Sequence, residues 1–148
     1  MSVSQALVSH FRILKKMIPL EELNVYKIAM EIGDIVWGIV DKWPFAKQIL
    51  GGQFVRSADS IAFNIGDGYG RYFFKENRNF CFYSREFAKE TTSALSKARK
   101  RNPLTEQEKT LFQEELLAYV KLINAYIKSI GSSKDNDQVN TDRVPMSC

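Results

Sequence analysis

The chain has 148 residues, of which 45% are apolar and 26% charged, a balance that suits one globular domain with a sizeable core. Two cysteines exclude a disulfide framework, and no apolar run approaches the roughly 18 residues that a bilayer crossing needs. The net charge of +4 is mild but uneven, because Arg71 to Arg101 holds nine basic residues against three acids. Such a local excess bears on nucleic-acid contact more than the total does, although a solvated helix face would look the same.

Helical periodicity dominates the chain. Leu7, Phe11, Leu14 and Ile18 recur at helical spacing until Pro19 interrupts them, so residues 1–22 are expected to form an arm or short helix. Arg12, Lys15 and Lys16 break up this stretch, which argues against a secretory leader and for a cytoplasmic protein. Residues 23–131 are expected to fold as a bundle. Its first helix runs from about Leu23 to Trp43, with Val25, Ile28, Ile32, Ile35 and Ile39 on the seam and Val36, Val40 and Trp43 widening it. Gly33 and Gly38 each cost this helix about 1 kcal/mol relative to Ala, which close approach of a neighbour would offset.

Pro44 and the pair Gly51-Gly52 mark a loop, and a second helix from about Phe54 to Asp67 presents Phe54, Ala58, Ile61, Ala62 and Ile65 on one face. The third helix, about Lys75 to Arg101, places Phe80, Tyr83, Phe87, Glu90 and Ala94 on one line. That puts an acid in an apolar row, so Glu90 is expected to be buried and hydrogen-bonded, as is Asn64 on the second helix; Glu90→Ala would then cost about 1–3 kcal/mol. The fourth helix opens on a capping box, Thr105 with Glu108, and carries Phe112, Leu116, Tyr119, Ile123, Tyr126 and Ile130 before Gly131. Residues 132–148 are polar and aperiodic, as in a disordered tail. The expected fold is all-α, an antiparallel up-down-up-down four-helix bundle. Leu111, Leu117, Ala118, Val120, Leu122 and Ile127 nearly encircle the fourth helix, more apolar surface than one bundle covers, which points to self-association.

Catalytic and metal chemistry find little to stand on. The single histidine, His10, has no Glu three residues before it, so the Glu-x-x-His pairs of di-iron bundles are missing and neither metal nor cofactor is expected. Cys81 lies among aromatics with no base in its neighbourhood and reads as packing. The run Gly66-Asp67-Gly68-Tyr69-Gly70-Arg71 closes a helix instead of opening one and lacks the Lys-Ser/Thr of a phosphate loop, so it reads as a tight turn. No enzymatic activity is expected.

The stretch Arg56 to Arg71 resembles the second-helix signature of the proteins encoded within intervening sequences of bacterial 23S rRNA. Arg56, Ala58, Ser60, Ile61, Asn64, Ile65, Gly68, Gly70 and Arg71 match it, and Asp67 stands where a Glu is usual. The similarity extends over about residues 23–130, including Leu23 to Ala29 at the start and Phe80 and Glu90 in the third helix. The resemblance implies an antiparallel four-helix bundle assembled as a five-fold ring, a homopentamer, with no known enzymatic activity. A related protein, the accessory variability determinant of diversity-generating retroelements, is a basic pentamer that works with a reverse transcriptase and nucleic acid. After the Gly-x-Gly-Arg the family commonly continues with Arg, Ser and Lys, where this chain has Tyr72, Phe73 and Phe74.

Two functions are therefore expected in competition. One is nucleic-acid binding, to RNA or DNA, by Arg71 together with Lys75, Arg78, Arg85 and Lys89, which fall on one stripe of the third helix. The other is a protein-interaction scaffold whose basic face is merely solvated or meets an acidic partner.

Overall fold

The computed structural model describes residues 2–5, 18–44, 48–101 and 104–131; the rest of the arm, residues 45–47 and 102–103 and the whole tail lie outside the described residues. Residues 3–5 form a helical turn, and Leu20–Glu22 make a 3-10 turn that leads into the first long helix. Four helices follow: α1 (Asn24–Val40), α2 (Gln48–Gly68), α3 (Phe74–Arg101) and α4 (Glu106–Ser129). No strand occurs among the described residues, so the all-α bundle expected from periodicity is present.

The helices form a square in which α2 lies between α1 and α3, and α4 closes on α1. Residue order runs in opposite senses across neighbours. Ser57 meets Thr91 and Ile61 meets Ser84 between α2 and α3, while Arg78 reaches Ile130 and Arg85 reaches Asn124 between α3 and α4. At the other end Lys42, just past α1, pairs with Glu108 at 2.9 Å. The core is built on Ile32, Val36, Phe54, Ile61, Ile65, Phe112, Tyr119 and Ile123, all excluded from solvent. Trp43 stacks on Phe54, and Phe54 in turn tilts against Phe112, which ties the ends of α1, α2 and α4 together.

The local signals behave as their chemistry requires. Thr105 accepts from the Glu108 amide and the Glu108 carboxylate accepts from the Thr105 amide, so the capping box is complete. Gly70 (φ +84°) and Gly131 (φ +66°) occupy the left-handed region after α2 and α4, where a side chain is strained. Gly68 packs directly on α3: a Cβ there would sit 2.7 Å from the Phe80 Cβ and 3.1 Å from the Asn77 carbonyl. The glycine run is thus a helix end and turn fitted to α3.

Three expectations need correction. α2 begins at Gln48, so Gly51 and Gly52 are helical, and Gly51 is buried; packing outweighs the weak propensity of glycine here. Gly33 does pack closely, with the Asp59 carboxylate where its Cβ would go, but Gly38 faces open space and nothing offsets its cost. The inward face of α3 is not the aromatic line. Asn77, Cys81, Ser84, Ala88, Thr91, Leu95 and Ala98 face the core, while Tyr83 and Glu90 are exposed in the single chain and Phe80, Phe87 and Ala94 are half-buried. Small and hydroxyl-bearing residues let α3 lie close to α2, and their polar atoms are satisfied there: Ser84 Oγ donates to the Ile61 carbonyl at 2.7 Å, and Thr91 Oγ1 lies 3.1 Å from Ser57 Oγ.

Candidate interaction surfaces

The basic residues of α3 do not form one free stripe. Lys75 and Lys89 are exposed, Lys89 in a 2.9 Å pair with Glu86 one turn back. Arg78 is half-buried and donates to the Ile130 carbonyl (3.2 Å), satisfying an acceptor at the end of α4. Arg85, also half-buried, donates to Asn124 Oδ1 (3.1 Å) and lies over the Phe82 ring. Arg71 lies on the turn, donating to the Asp67 carbonyl and stacking 4.7 Å above Phe80. The arginines thus fasten the start of α3 to α4 and to the turn before it. Each guanidinium keeps further N–H donors beyond those bonds, so such anchoring restricts these residues without neutralising them. The far end of α3 holds a second cationic group that the stripe omitted: Lys97, Arg99, Lys100 and Arg101 are exposed, with no acid between them.

Asn64 is half-buried and donates to the Ser60 carbonyl of its own helix at 2.7 Å. With exposed Glu90 it lines a shallow groove between α2 and α3, alongside Tyr83, Glu86 and Phe87. The expectation of two buried structural polar groups therefore does not hold for Glu90 in the single chain; the aromatic line it shares faces outward. The polar residues that are buried are Ser57, Asn77, Ser84 and Thr91.

Apolar surface is the other main feature. Trp37 and Phe63 (each 58% exposed) flank a groove of about 390 Å³ between α1 and α2, whose floor includes Val55 and Asp59. Burial and the neighbouring Asp34 both push the Asp59 carboxyl above its ordinary range. On the opposite side of the square, α3 and α4 are joined by the polar contacts just described, as well as by core packing. They leave a groove of about 370 Å³ edged by Val120, Leu116, Arg85 and Lys89, with Leu117 (64% exposed) beside it on α4. These two opposite grooves are invisible in the periodicity of any one helix.

Among the described residues no group of three His, Cys, Asp or Glu is placed to hold a metal, and His10 lies outside them. Burial pushes the Cys81 thiol up to about 12, so it is a poor nucleophile. Tyr119 is likewise held neutral by burial, its hydroxyl committed to Ser84. Among the described residues no helix is long and apolar enough to cross a membrane.

The fold and these surfaces define a helical-bundle protein whose distinctive chemistry lies on its outer faces. More particularly, the chain belongs to the family described as 23S rRNA-intervening sequence protein, whose model matches residues 21–125. No curated protein gives a significant match. The signature that carried the resemblance divides by role. Ala58, Ile61 and Ile65 fill the core, Gly68 and Gly70 shape the turn, and Arg56 remains exposed on the outer face of α2.

Proposed function

We propose that this protein is a non-enzymatic, self-assembling subunit of the cytoplasm that closes into a ring of identical bundles. The observation that carries this is that the large exposed apolar side chains include unlike pairs on opposite sides of the bundle, Trp37 and Phe63 on one and Leu117 and Val120 on the other. A two-fold dimer needs one self-complementary patch, whereas two unlike patches associate head to tail, and closure of that pattern gives a ring. The resemblance sets the expected number of subunits at five. Light scattering on a size-exclusion column tests it: the expected mass is five times the 17.0 kDa of the chain. A clean monomer at micromolar concentration refutes the assembly.

A second reading, nucleic-acid contact, is favoured by the exposed cations at both ends of α3, namely Arg71 and Lys75 at its start and Lys97, Arg99 and Lys100 near its end. A ring would repeat this sparse set and so multiply weak phosphate contacts. Gel shift against structured RNA and duplex DNA at several salt concentrations should show affinity falling linearly in log salt. Replacing Lys97, Arg99 and Lys100 together by Gln should flatten that slope. Absence of any shift at moderate salt leaves the scaffold function alone standing.

A further inference from the structure

We infer that the α1/α2 groove of one copy receives the α3/α4 face of the next, so that Trp37 and Phe63 pack against Leu117 and Val120 while Asp34 and Asp59 meet Arg85 and Lys89. The inference rests on the self-assembly proposed above and adds to it which surfaces meet.

Exposed apolar side chains and charge support the pairing. Each face offers two large exposed apolar side chains beside a groove. The charges on the two faces differ: the first groove holds Asp59, with Arg56 also on its lining, and the second holds the cations Arg85 and Lys89. Asp59 borders the first groove with Asp34 close enough to raise its pKa, and among the described residues neither has a cationic partner. A half-buried carboxylate without a counter-ion is a cost that an incoming cation would relieve. The second groove is edged by Arg85, which spends one Nη on Asn124, and by Lys89, whose pair with Glu86 is solvent-exposed and readily exchanged.

The same charges argue against the alternatives. Pairing the α3/α4 face with itself would set Arg85 and Lys89 against the same cations, and pairing the α1/α2 face with itself would leave Arg56 as the single groove-lining cation for Asp34 and Asp59. The unlike pairing removes the cation repulsion and gives Asp34 and Asp59 two further cations. It also fits the square arrangement, in which these grooves lie across the bundle from each other, as a chain of copies closing on itself requires.

The test uses two measurements on the full chain. Trp37→Glu and Leu117→Glu change exposed positions, so each variant should keep its helical circular dichroism yet elute as a monomer where the parent assembles. A Phe63→Cys/Val120→Cys variant, with Cys148→Ser to remove the terminal thiol, is then treated with a short bis-maleimide. The double variant should give a ladder of covalent oligomers on a denaturing gel, and either cysteine alone should give none. Covalent dimers from one single-cysteine variant would show a face pairing with itself and overturn the inference. A parent that assembles while both Glu variants assemble equally well also overturns it, leaving the ring proposal intact. A monomeric parent removes the ring proposal itself.

Discussion

The hydroxyl pair at the centre of the bundle gives the sharpest test of how α3 is held. Ser84 and Tyr119 are both fully buried, with their oxygens 2.7 Å apart. Ser84 has one proton, and the Ile61 carbonyl 2.7 Å away can only accept it, so Tyr119 must donate to Ser84. Ser84→Ala therefore strands a buried phenol and should cost about 1–3 kcal/mol, the penalty of an unsatisfied buried donor. Tyr119→Phe removes the donor itself and leaves Ser84 bonded to Ile61, so its cost should be smaller, about 0.5–1.5 kcal/mol. The double variant has no stranded donor left. It should cost less than the sum of the singles by about 0.5–1.5 kcal/mol, the coupling of a directly bonded pair. Urea denaturation followed by far-ultraviolet circular dichroism, at one protein concentration for all four proteins, measures the cycle. Strict additivity, or a Ser84→Ala variant as stable as the parent, would refute the donor assignment and the stabilising role of the Ser84–Tyr119 contact between α3 and α4.

Three further outcomes follow from single positions. Gly38→Ala should raise stability by about 0.5–1 kcal/mol in denaturant melts, because a Cβ there meets nothing and helix propensity improves. Cys81, buried and with its thiol raised to about 12, should resist iodoacetamide at mildly alkaline pH and label only on unfolding, as read by mass spectrometry of its peptide. Burial, with a hydrogen bond and repulsion from Glu31 and further repulsion from Glu114, raises the Glu115 carboxyl. A raised folded-state pKa means stability present at low pH is lost as pH rises through that value. Glu115→Gln escapes the loss, so its thermal midpoint should exceed the parent's at neutral pH, and the gap should close on acidification toward about 4.3, the ordinary Glu value.

What the sequence disclosed depended on how each face is made. The inward side of α2 was legible because Phe54, Ala58, Ile61, Ala62 and Ile65 are all apolar and all buried. The capping box was legible because it is local, spanning Thr105 to Glu108. The inward side of α3 was not, because hydrophobicity marks the aromatic line of Tyr83 and Phe87 while the core takes Ser84, Ala88 and Thr91. Burial there rewards closeness and hydrogen bonding more than side-chain size, and periodicity scores only the latter. The basic stripe was legible as positions but not as partners, since Arg78 reaches Ile130 and Arg85 reaches Asn124, contacts made only by the folded chain. The two opposed grooves depend on all four helices at once.

Energetics decide what kind of assembly such faces can make. Across one head-to-tail contact Trp37, Phe63, Leu117 and Val120 leave water, and each is already about half covered in the single chain. Completing their burial is worth of order 5 kcal/mol. That is near the low end of the about 4–15 kcal/mol that association costs in lost freedom. The proposed ion pairs with Asp34 and Asp59 would add selectivity more than strength. A lone pair of copies should therefore be barely stable. A closed ring differs, because its last contact is made without a further loss of translational freedom, so ring closure is favoured over every open intermediate. The expected behaviour on dilution is a direct exchange between monomer and ring. Mass photometry across a dilution series reads this, with two populations whose ratio changes steeply. A persistent population of dimers or trimers would mean that a single contact is strong enough to stand alone, and the energetic argument for closure would fail.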